Sequence, residues 1–429
     1  MTLLIRNGHL LDSTGNLDGT GWVHIADGTI SGAGPGKPPA GITPDETIDA
    51  GGLFVSPGFI DLHVHLREPG QESKETIESG SRAAAAGGFT SIVCMPNTAP
   101  PIDHASLVKF IYLEANRVGL VNVFPTGTVS KGREGKELAD IGELVAAGVV
   151  AITDDGSPVM DSSLMRCALE YAKMFDIPVM DHCEDLALNN AGVMNESFYS
   201  TKLGLRGAPS AAEDVMIARN IILAEFTGGR VHIQHLSTAG GVRMIRDAKA
   251  RGLKVTCEVT PHHLALTEAA LCEYDTNYKM NPPLRGEEDR AALIEGLADG
   301  TIDAIATDHA PHTITDKDVE FDFAPCGIIG LESALAVIYT TLVQPGHLTA
   351  LRMIEALTAA PARIIGKEHK GVLKEGMDAD ITIWDGTTEY LLDKNQFKSK
   401  ARNCPFHGWN VNGRAMYTIV NGEIHFKRQ

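Results

Sequence analysis

The central part of the chain alternates apolar, strand-like runs with helix-like stretches, and this alternation limits the fold more than any other feature. Eight apolar runs end near residues His65, Pro96, Thr126, Asp155, His182, His235, Thr260 and Asp308. The first four intervals are about 30 residues long, the size of one strand–helix unit. Eight such units close a barrel, so we predict an α/β fold of the TIM-type (β/α)8 class. A doubly wound open sheet is the alternative, but no Gly-x-Gly-x-x-Gly motif follows the first run.

The two ends of the chain resemble each other and differ from the centre. Both contain short alternating apolar runs, separated by the turn pairs Asn7-Gly8, Asp27-Gly28 and Asn421-Gly422. Such pairs are typical of β-hairpins. We therefore predict one small β domain formed by both chain ends. Its N-terminal part spans residues 1–56 and its C-terminal part residues 368–429, and the barrel occupies residues 57–367.

Composition excludes several classes of function. The formal net charge is −18, which disfavours nonspecific nucleic-acid binding and docking on an anionic membrane. No apolar stretch is long enough to span a bilayer, and the N-terminus does not look like a signal peptide. The seven cysteines are scattered, odd in number and without a C-x-x-C pair, which suits a reducing compartment. We expect a cytoplasmic enzyme that acts on a small molecule.

The first strand-like run ends in a His-x-His motif formed by His63 and His65. Alternate residues on a strand point the same way, so both imidazoles can reach one metal ion. Arg67 follows on the same side if the strand continues. Metal ligands and a clamp for an anion therefore share one strand end, although the motif needs partners before it indicates a metal.

Further polar residues stand at the ends of other predicted strands, where the active site of such a barrel lies. These residues are Asn97, Asp154, Asp155, His182, His235, Asp308 and His312. A loop before the eighth strand contributes Asn281. Four histidines and at least two aspartates around one pocket are the ligand mix that Zn²⁺ prefers. We expect one or two Zn²⁺ ions per subunit.

The residue types also suggest a division of roles. Four histidines and one bridging carboxylate, for which we choose Asp155, are enough for two divalent ions that share a hydroxide and polarise a carbonyl. Asp308, free of ligand duty, can carry a proton between that nucleophile and a leaving nitrogen. Arg67 and Asn97 can donate hydrogen bonds to a substrate carboxylate, with the arginine in a bidentate fork.

Nine motifs along nearly the whole chain resemble the amidohydrolase superfamily and, within it, the class I bacterial dihydroorotases. They are Phe59–Gly70, Gly87–Thr90, Met95–Thr98, Thr153–Gly156, His182–Asp185, Ile233–Thr238, Val259–Leu264, Lys279–Arg285 and Ile305–His312. The resemblance implies a catalytic acid/base at Asp308 and the metal ligands His63, His65, Asp155, His182 and His235. It also implies substrate contacts from Arg67, Asn97, Asn281, His312 and the backbone near Cys326 and Gly327.

Two features depart from these family patterns. Many members of the superfamily bridge their metals with a carboxylated lysine, whereas strand 4 of this chain ends in Asp154-Asp155, as in class I dihydroorotases. Cys326 stands where the family usually has phenylalanine. This change is tolerable if only backbone groups contact the substrate there.

The resemblance implies reversible cyclisation of N-carbamoyl-L-aspartate to L-dihydroorotate in pyrimidine synthesis. It also implies a homo-oligomer and aspartate carbamoyltransferase as a partner. The alternatives are an allantoinase or hydantoinase, and a non-catalytic scaffold for aspartate carbamoyltransferase. The missing bridging lysine and the set Arg67, Asn97 and His312 disfavour the first alternative. The complete ligand set disfavours the second.

Overall fold

The computed structural model describes residues 2–429, whose centre forms a closed parallel barrel. Its strands are Phe59–Val64, Phe89–Cys94, Asn122–Pro125, Val179–Asp181, Val231–Ile233, Val255–Val259 and Ala304–Ile305. The fourth position is filled by Ile152 alone, which bridges in parallel to Gly127 and Val179. A parallel bridge between Val64 and His309 closes the ring. The predicted eight-stranded barrel is confirmed, and the open-sheet alternative is wrong.

Eight helices surround the barrel, one after each strand position. They are Ile77–Gly87, Ala105–Val118, Ile141–Ala147, Ser162–Lys173, Ala211–Thr227, Ala239–Ala250, Glu287–Ala298 and Ala350–Leu357. The first shows why they begin and end where they do. Thr76 caps its N-terminus by accepting a hydrogen bond from the Ser79 amide, and Gly88 ends it in the left-handed conformation. The loops carry shorter helices at Leu186–Asn189, Phe198–Leu203, Pro261–Ala265, Ile314–Lys317, Ala334–Ile338 and Ala359–Ile364.

Both ends of the chain contribute to one further sheet. Its strands are Thr2–Asp12, Leu17–Ala26, Thr29–Pro35, Glu46–Asp49, Phe54–Pro57, Ile381–Asp385, Arg414–Val420 and Glu423–Lys427. Phe54–Pro57 joins the two ends, because it pairs with the first strand on one side and with Ile381–Asp385 on the other. The prediction of a small β domain from both ends is therefore confirmed, while the domain boundaries stay a prediction.

Two of the three predicted hairpin turns are present, and the third prediction is wrong. Asp27 and Asn421 both have positive φ and are followed by glycine at positive φ, as a two-residue hairpin loop requires. Asn7 instead lies inside the strand Thr2–Asp12, with φ of 62°. It forms a bulge there, because the pairing register with the second strand shifts between Arg6 and Gly8.

The segment 397–404 leaves the small β domain and lies against the loops at the carboxyl ends of the barrel strands. The backbone amide of Lys398 donates to Glu332, and the carbonyl of Asn403 accepts from the amide of Ile329. The C-terminal part of the chain therefore reaches the end of the barrel where polar residues gather. Among residues 2–429, no helix combines the length and the apolar content needed to cross a bilayer.

Candidate metal centre and active site

A cavity of about 240 Å³ opens at the carboxyl ends of the barrel strands. It is lined by His65, Arg67, Asn97, Asp155, Gly156, His182, His235, Asn281, Asp308, Ala310, His312, Cys326 and Gly327. Every site residue predicted from the sequence is on this wall except His63, which lies beneath it with no solvent exposure. The strand ends meet as the barrel geometry requires, so residues as distant in sequence as Arg67 and Gly327 share one cavity.

Two groups of side chains in this cavity have the geometry to hold metal ions. His63, His65 and Asp155 form one group, and Asp155, His182 and His235 form the other; within each, the ligand atoms lie within 4.8 Å of one another. Asp155 Oδ1 is 3.3 Å from His63 Nε2 and 3.8 Å from His235 Nε2. Because Asp155 belongs to both groups, its carboxylate stands where a bridging ligand would.

Hydrogen bonds fix the orientation of the two histidines on the first strand. His63 Nδ1 is 2.8 Å from Glu258 Oε1, and His65 Nδ1 is 2.9 Å from Asn97 Oδ1. In the tautomer that carries its proton on Nδ1, each histidine donates to this oxygen and keeps on Nε2 the lone pair that a metal ion needs. Asn97, predicted to bind substrate, thus also orients a histidine of one of the two candidate metal groups.

His182 is oriented in the opposite sense. Its Nε2 donates to Glu184 Oε2 at 3.0 Å, which leaves Nδ1 as the lone-pair atom, 2.8 Å from His235 Nε2. Glu184 also accepts a hydrogen bond of 3.0 Å from Asn281 Nδ2. The predicted substrate residue Asn281 and the metal group around His182 are therefore connected through one carboxylate.

The electrostatics of these residues fit a divalent cation. His63 Nε2 is buried and has no hydrogen-bond partner among residues 2–429. Burial lowers the pKa of His63, but the charges of Asp155 and Asp308 outweigh it and raise that pKa well above its usual value. A field that favours a proton on this nitrogen also favours a metal ion there. Burial lowers the pKa of His65, which keeps its imidazole in the neutral form that binds metal.

Asp308 lies beside the metal groups but belongs to neither. Its Oδ1 is 2.9 Å from His65 Nε2 and 3.6 Å from His63 Nε2. Burial opposes ionisation of this carboxyl, but the charge of His63 and the hydrogen bond from His65 outweigh burial and lower its pKa. An ionised carboxylate that faces the cavity can accept a proton from a nucleophile bound there.

Arg67 places a cation in the cavity wall without a carboxylate partner. Its backbone has φ of 62°, and the residue is 8% exposed. Only its Nε is hydrogen-bonded among residues 2–429, to the carbonyl of Pro311 at 3.3 Å. The carboxylates of Asp308 and Asp155 act on it through their charge, and neither is an ion-pair partner of Arg67 among residues 2–429. The guanidinium therefore keeps free hydrogen-bond donors and a positive charge at the cavity wall, and an anion that enters the cavity can pair with it.

A hydrogen bond within the cavity wall connects His312 to the segment Cys326-Gly327. His312 Nε2 donates to the carbonyl of Cys326 at 2.8 Å, and burial together with the charge of Arg67 lowers the pKa of His312 to about 3. The ring is therefore neutral. Gly327 has φ of 128°, and a Cβ there would lie 2.7 Å from the Cβ of Ala310, so only glycine fits. The side chain of Cys326 is exposed.

Sequence reasoning missed Glu258, which is fully buried on the seventh strand. One carboxylate oxygen accepts from His63 Nδ1, and the other accepts from His232 Nε2 at 3.1 Å. Burial raises the pKa of Glu258, but the two histidines outweigh it and lower the pKa to about 2. A signal was present, because a charged residue inside the apolar run Val255–Val259 needs a buried partner. Glu184 was also missed, although it lies in a quoted motif.

Glu258→Gln is expected to weaken divalent metal binding by roughly 10–100-fold, the usual cost of changing a group that orients a ligand. The amide keeps the size of the side chain but removes the charge that supports His63. Titration of metal-free protein with Zn²⁺ against a chelator measures the change. Glu225→Gln, on the surface beside Arg251, is the control for lost charge alone. Equal affinities in the Glu258 variant and this control would contradict the role.

Comparisons with known proteins agree with this geometry. A family model described as "Dihydro-orotase-like" matches residues 52–240, and one described as "Amidohydrolase family" matches residues 224–426. The dihydroorotase of Acetivibrio thermocellus is 51% identical over 422 residues, which cover 98% of each chain. The dihydroorotase of Citrifermentans bemidjiense is 52% identical over 427 residues, which cover 100% of each chain.

Solved structures show the same architecture. The L-hydantoinase (dihydropyrimidinase) from Arthrobacter aurescens superposes with a TM-score of 0.88 at 26% identity and covers 98% of this chain and 95% of its own. The D-hydantoinase (dihydropyrimidinase) from Thermus sp. gives a TM-score of 0.83 at 26% identity, with 99% and 95% covered. The sequence relatives are far closer to this chain than these structures are. With full-length identity above one half, the chain belongs to the dihydroorotase family of the amidohydrolases.

Proposed function

We propose that this protein is a dihydroorotase, which interconverts N-carbamoyl-L-aspartate and L-dihydroorotate. The observation that carries this proposal is Arg67, a buried cation without a carboxylate partner that faces a two-group metal site. L-Dihydroorotate is a cyclic amide that bears a carboxylate. A neutral cyclic amide such as a hydantoin would leave the guanidinium unpaired.

The binding step follows from the cavity wall. Arg67 can donate two parallel hydrogen bonds to the substrate carboxylate, which fixes both its position and its plane. Asn97 is hydrogen-bonded to His65, and Asn281 is connected to His182 through Glu184. A substrate that contacts either amide is therefore held in a defined position relative to the metal groups.

The proton step is assigned to Asp308. When bound by the five ligands, divalent ions supply an activated nucleophile and polarise the amide carbonyl. In ring opening, Asp308 Oδ1 accepts the proton of the attacking water molecule and then donates it to the ring nitrogen as the carbon–nitrogen bond breaks. In ring closure the same carboxyl begins protonated. The position of Asp308 Oδ1, 2.9 Å from His65 Nε2, supports this assignment.

The test compares two substrates that differ only in the carboxylate. Zinc-loaded protein should open L-dihydroorotate, and it should open dihydrouracil, which has the same ring without the carboxylate, at least about tenfold less efficiently. Metal content is measured on the same sample. Equal efficiency with both rings would support a dihydropyrimidinase-type activity, and no turnover of either ring with metal bound would support a scaffold.

Arg67→Lys is expected to lower kcat/KM for L-dihydroorotate and to leave metal content unchanged. The loss of one arm of a bidentate contact to a carboxylate costs about 1.5–3 kcal/mol, or roughly 10–150-fold. Steady-state rates and metal analysis of the same preparations measure both quantities. Normal kinetics in this variant would mean that the carboxylate is held elsewhere.

We further propose Zn²⁺ as the metal, with one or two ions per subunit. Imidazole and carboxylate ligands in this mixture support it. A role in pyrimidine synthesis, a cytoplasmic location, a homo-oligomeric state and aspartate carbamoyltransferase as a partner complete the proposal. The seven unpaired cysteines, four of them buried, support a reducing compartment. The domain boundaries at residues 56–57 and 367–368 are proposed with them.

A further inference from the structure

The side chain of Asn403 connects two loops of the active-site cavity. Its Nδ2 donates to the carbonyls of Ala310 and Gly327, both at 3.0 Å. Its Oδ1 accepts a hydrogen bond of 3.2 Å from the backbone amide of His312. The backbone carbonyl of Asn403 accepts from Ile329 N at 3.0 Å. With 3% exposure, the amide is buried and all of its polar atoms are used.

The residue comes from outside the barrel. Asn403 follows the barrel's last helix, Ala350–Leu357, and the strand Ile381–Asp385 of the small β domain. The preceding part of the segment is anchored as well, because the hydroxyl of Ser399 donates to Glu75, which is fully buried. The asparagine is therefore held at a fixed place relative to the barrel, and the two loops are held relative to it.

We propose that Asn403 is a positioning residue for substrate binding, which sets the distance between His312 and Gly327. The kinetic part of this inference rests on the proposed function. His312 and Gly327 both line the cavity, and they lie on separate loops, at the end of strand 8 and beyond it. Together with the direct hydrogen bond between His312 Nε2 and the Cys326 carbonyl, an amide group that bonds to both loops fixes the width of this side of the cavity before substrate arrives. Preorganisation of this kind lowers the entropy that binding must overcome.

The bonding pattern requires an asparagine. Two donors and one acceptor are needed at once, and the primary amide supplies them. Aspartate would keep the acceptor for the His312 amide but would face the carbonyls of Ala310 and Gly327 with a charge and no donor. Alanine would leave all three groups unpaired. A comparison of the two variants therefore distinguishes the effect of the hydrogen bond to the His312 amide from the effect of the two hydrogen bonds to the carbonyls.

The experiment measures kinetics and amide exchange on zinc-loaded full-length protein. Asn403→Ala and Asn403→Asp should each raise KM for L-dihydroorotate about tenfold while kcat changes by less than about threefold, the pattern of lost uniform binding. Hydrogen–deuterium exchange at the His312 amide should become faster in Asn403→Ala and should stay slow in Asn403→Asp. Metal content should not change in either variant.

Asn412→Ala is the matched control. Asn412 is also a buried asparagine of the C-terminal part, and its Nδ2 donates to the carbonyl of Thr387, away from the cavity. A rise in KM as large in this control as in the Asn403 variants would overturn the proposal, because general destabilisation would then explain both. Unchanged KM in Asn403→Ala would also overturn it. If the wild-type protein does not turn over L-dihydroorotate, the proposed function fails, and exchange at His312 alone decides: unchanged exchange in Asn403→Ala refutes the positioning role.

Discussion

Asp308→Asn is expected to abolish nearly all ring opening of L-dihydroorotate, with kcat lowered by roughly 10²–10⁴-fold, the usual contribution of a general acid–base residue. Asparagine keeps the size of the side chain and an oxygen beside His65, but it cannot accept a proton from the nucleophile. Because Asp308 belongs to neither metal group, metal content should stay at the wild-type value. Rates and metal analysis on one preparation measure both effects.

Asp316→Asn is the control for this variant. Asp316 lies outside the residues that line the cavity; its carboxylate accepts from the Thr313 amide and lies 3.8 Å from Lys74 Nζ and 3.9 Å from His312 Nδ1. It contacts none of the four histidines of the metal groups, so kcat and metal content should remain close to those of the wild type. If the Asp308 variant lost its metal in proportion to its activity, Asp308 would be a ligand and another group would carry the proton.

The fold was predictable because each part of it leaves a local pattern. Barrel strands are short apolar runs, and their helices begin and end at capping residues such as Thr76 and Gly88. The fourth strand is harder to predict, because only Ile152 has the geometry of a strand bridge. Its neighbours Val150 and Thr153 still donate backbone hydrogen bonds to the adjacent strand position. The hairpin turn predicted at Asn7-Gly8 was wrong because one local pattern fits two structures. An Asn-Gly pair supplies positive φ, and both a bulge and a hairpin use it.

The metal groups were predictable because their ligands come from strand ends that the barrel brings together. Groups that bond to the ligands were harder to find, since nothing in the sequence states which buried carboxylate meets which histidine. Glu258 is 195 positions away from His63, yet they bond at 2.8 Å. Asn403 lies in a segment beyond the barrel, and no spacing rule links it to His312. These contacts are set by tertiary packing.

Asp155→Ala is expected to remove most of the bound metal, and turnover with it. Asp155 is the one residue shared by the two metal groups, so its loss takes a ligand from each of them at once. It also removes the negative charge that lies close to both His63 and His235 and that attracts a cation to these two histidines. The loss in affinity should exceed the roughly 10–100-fold expected for a group outside the ligand set.

The neighbouring aspartate gives this prediction a close control. Asp154 is also buried, but its carboxylate accepts from the backbone amides of Val129 and Ser130 and faces away from the histidines. Asp154→Asn should therefore keep its metal. Thermal unfolding with and without Zn²⁺ provides a second measurement, because metal at 100 times its Kd stabilises the folded state by about 2.7 kcal/mol. That stabilisation should vanish in Asp155→Ala and persist in Asp154→Asn. The reverse result would assign the bridge to Asp154, and it would require the strand-4 loop to rearrange when metal binds.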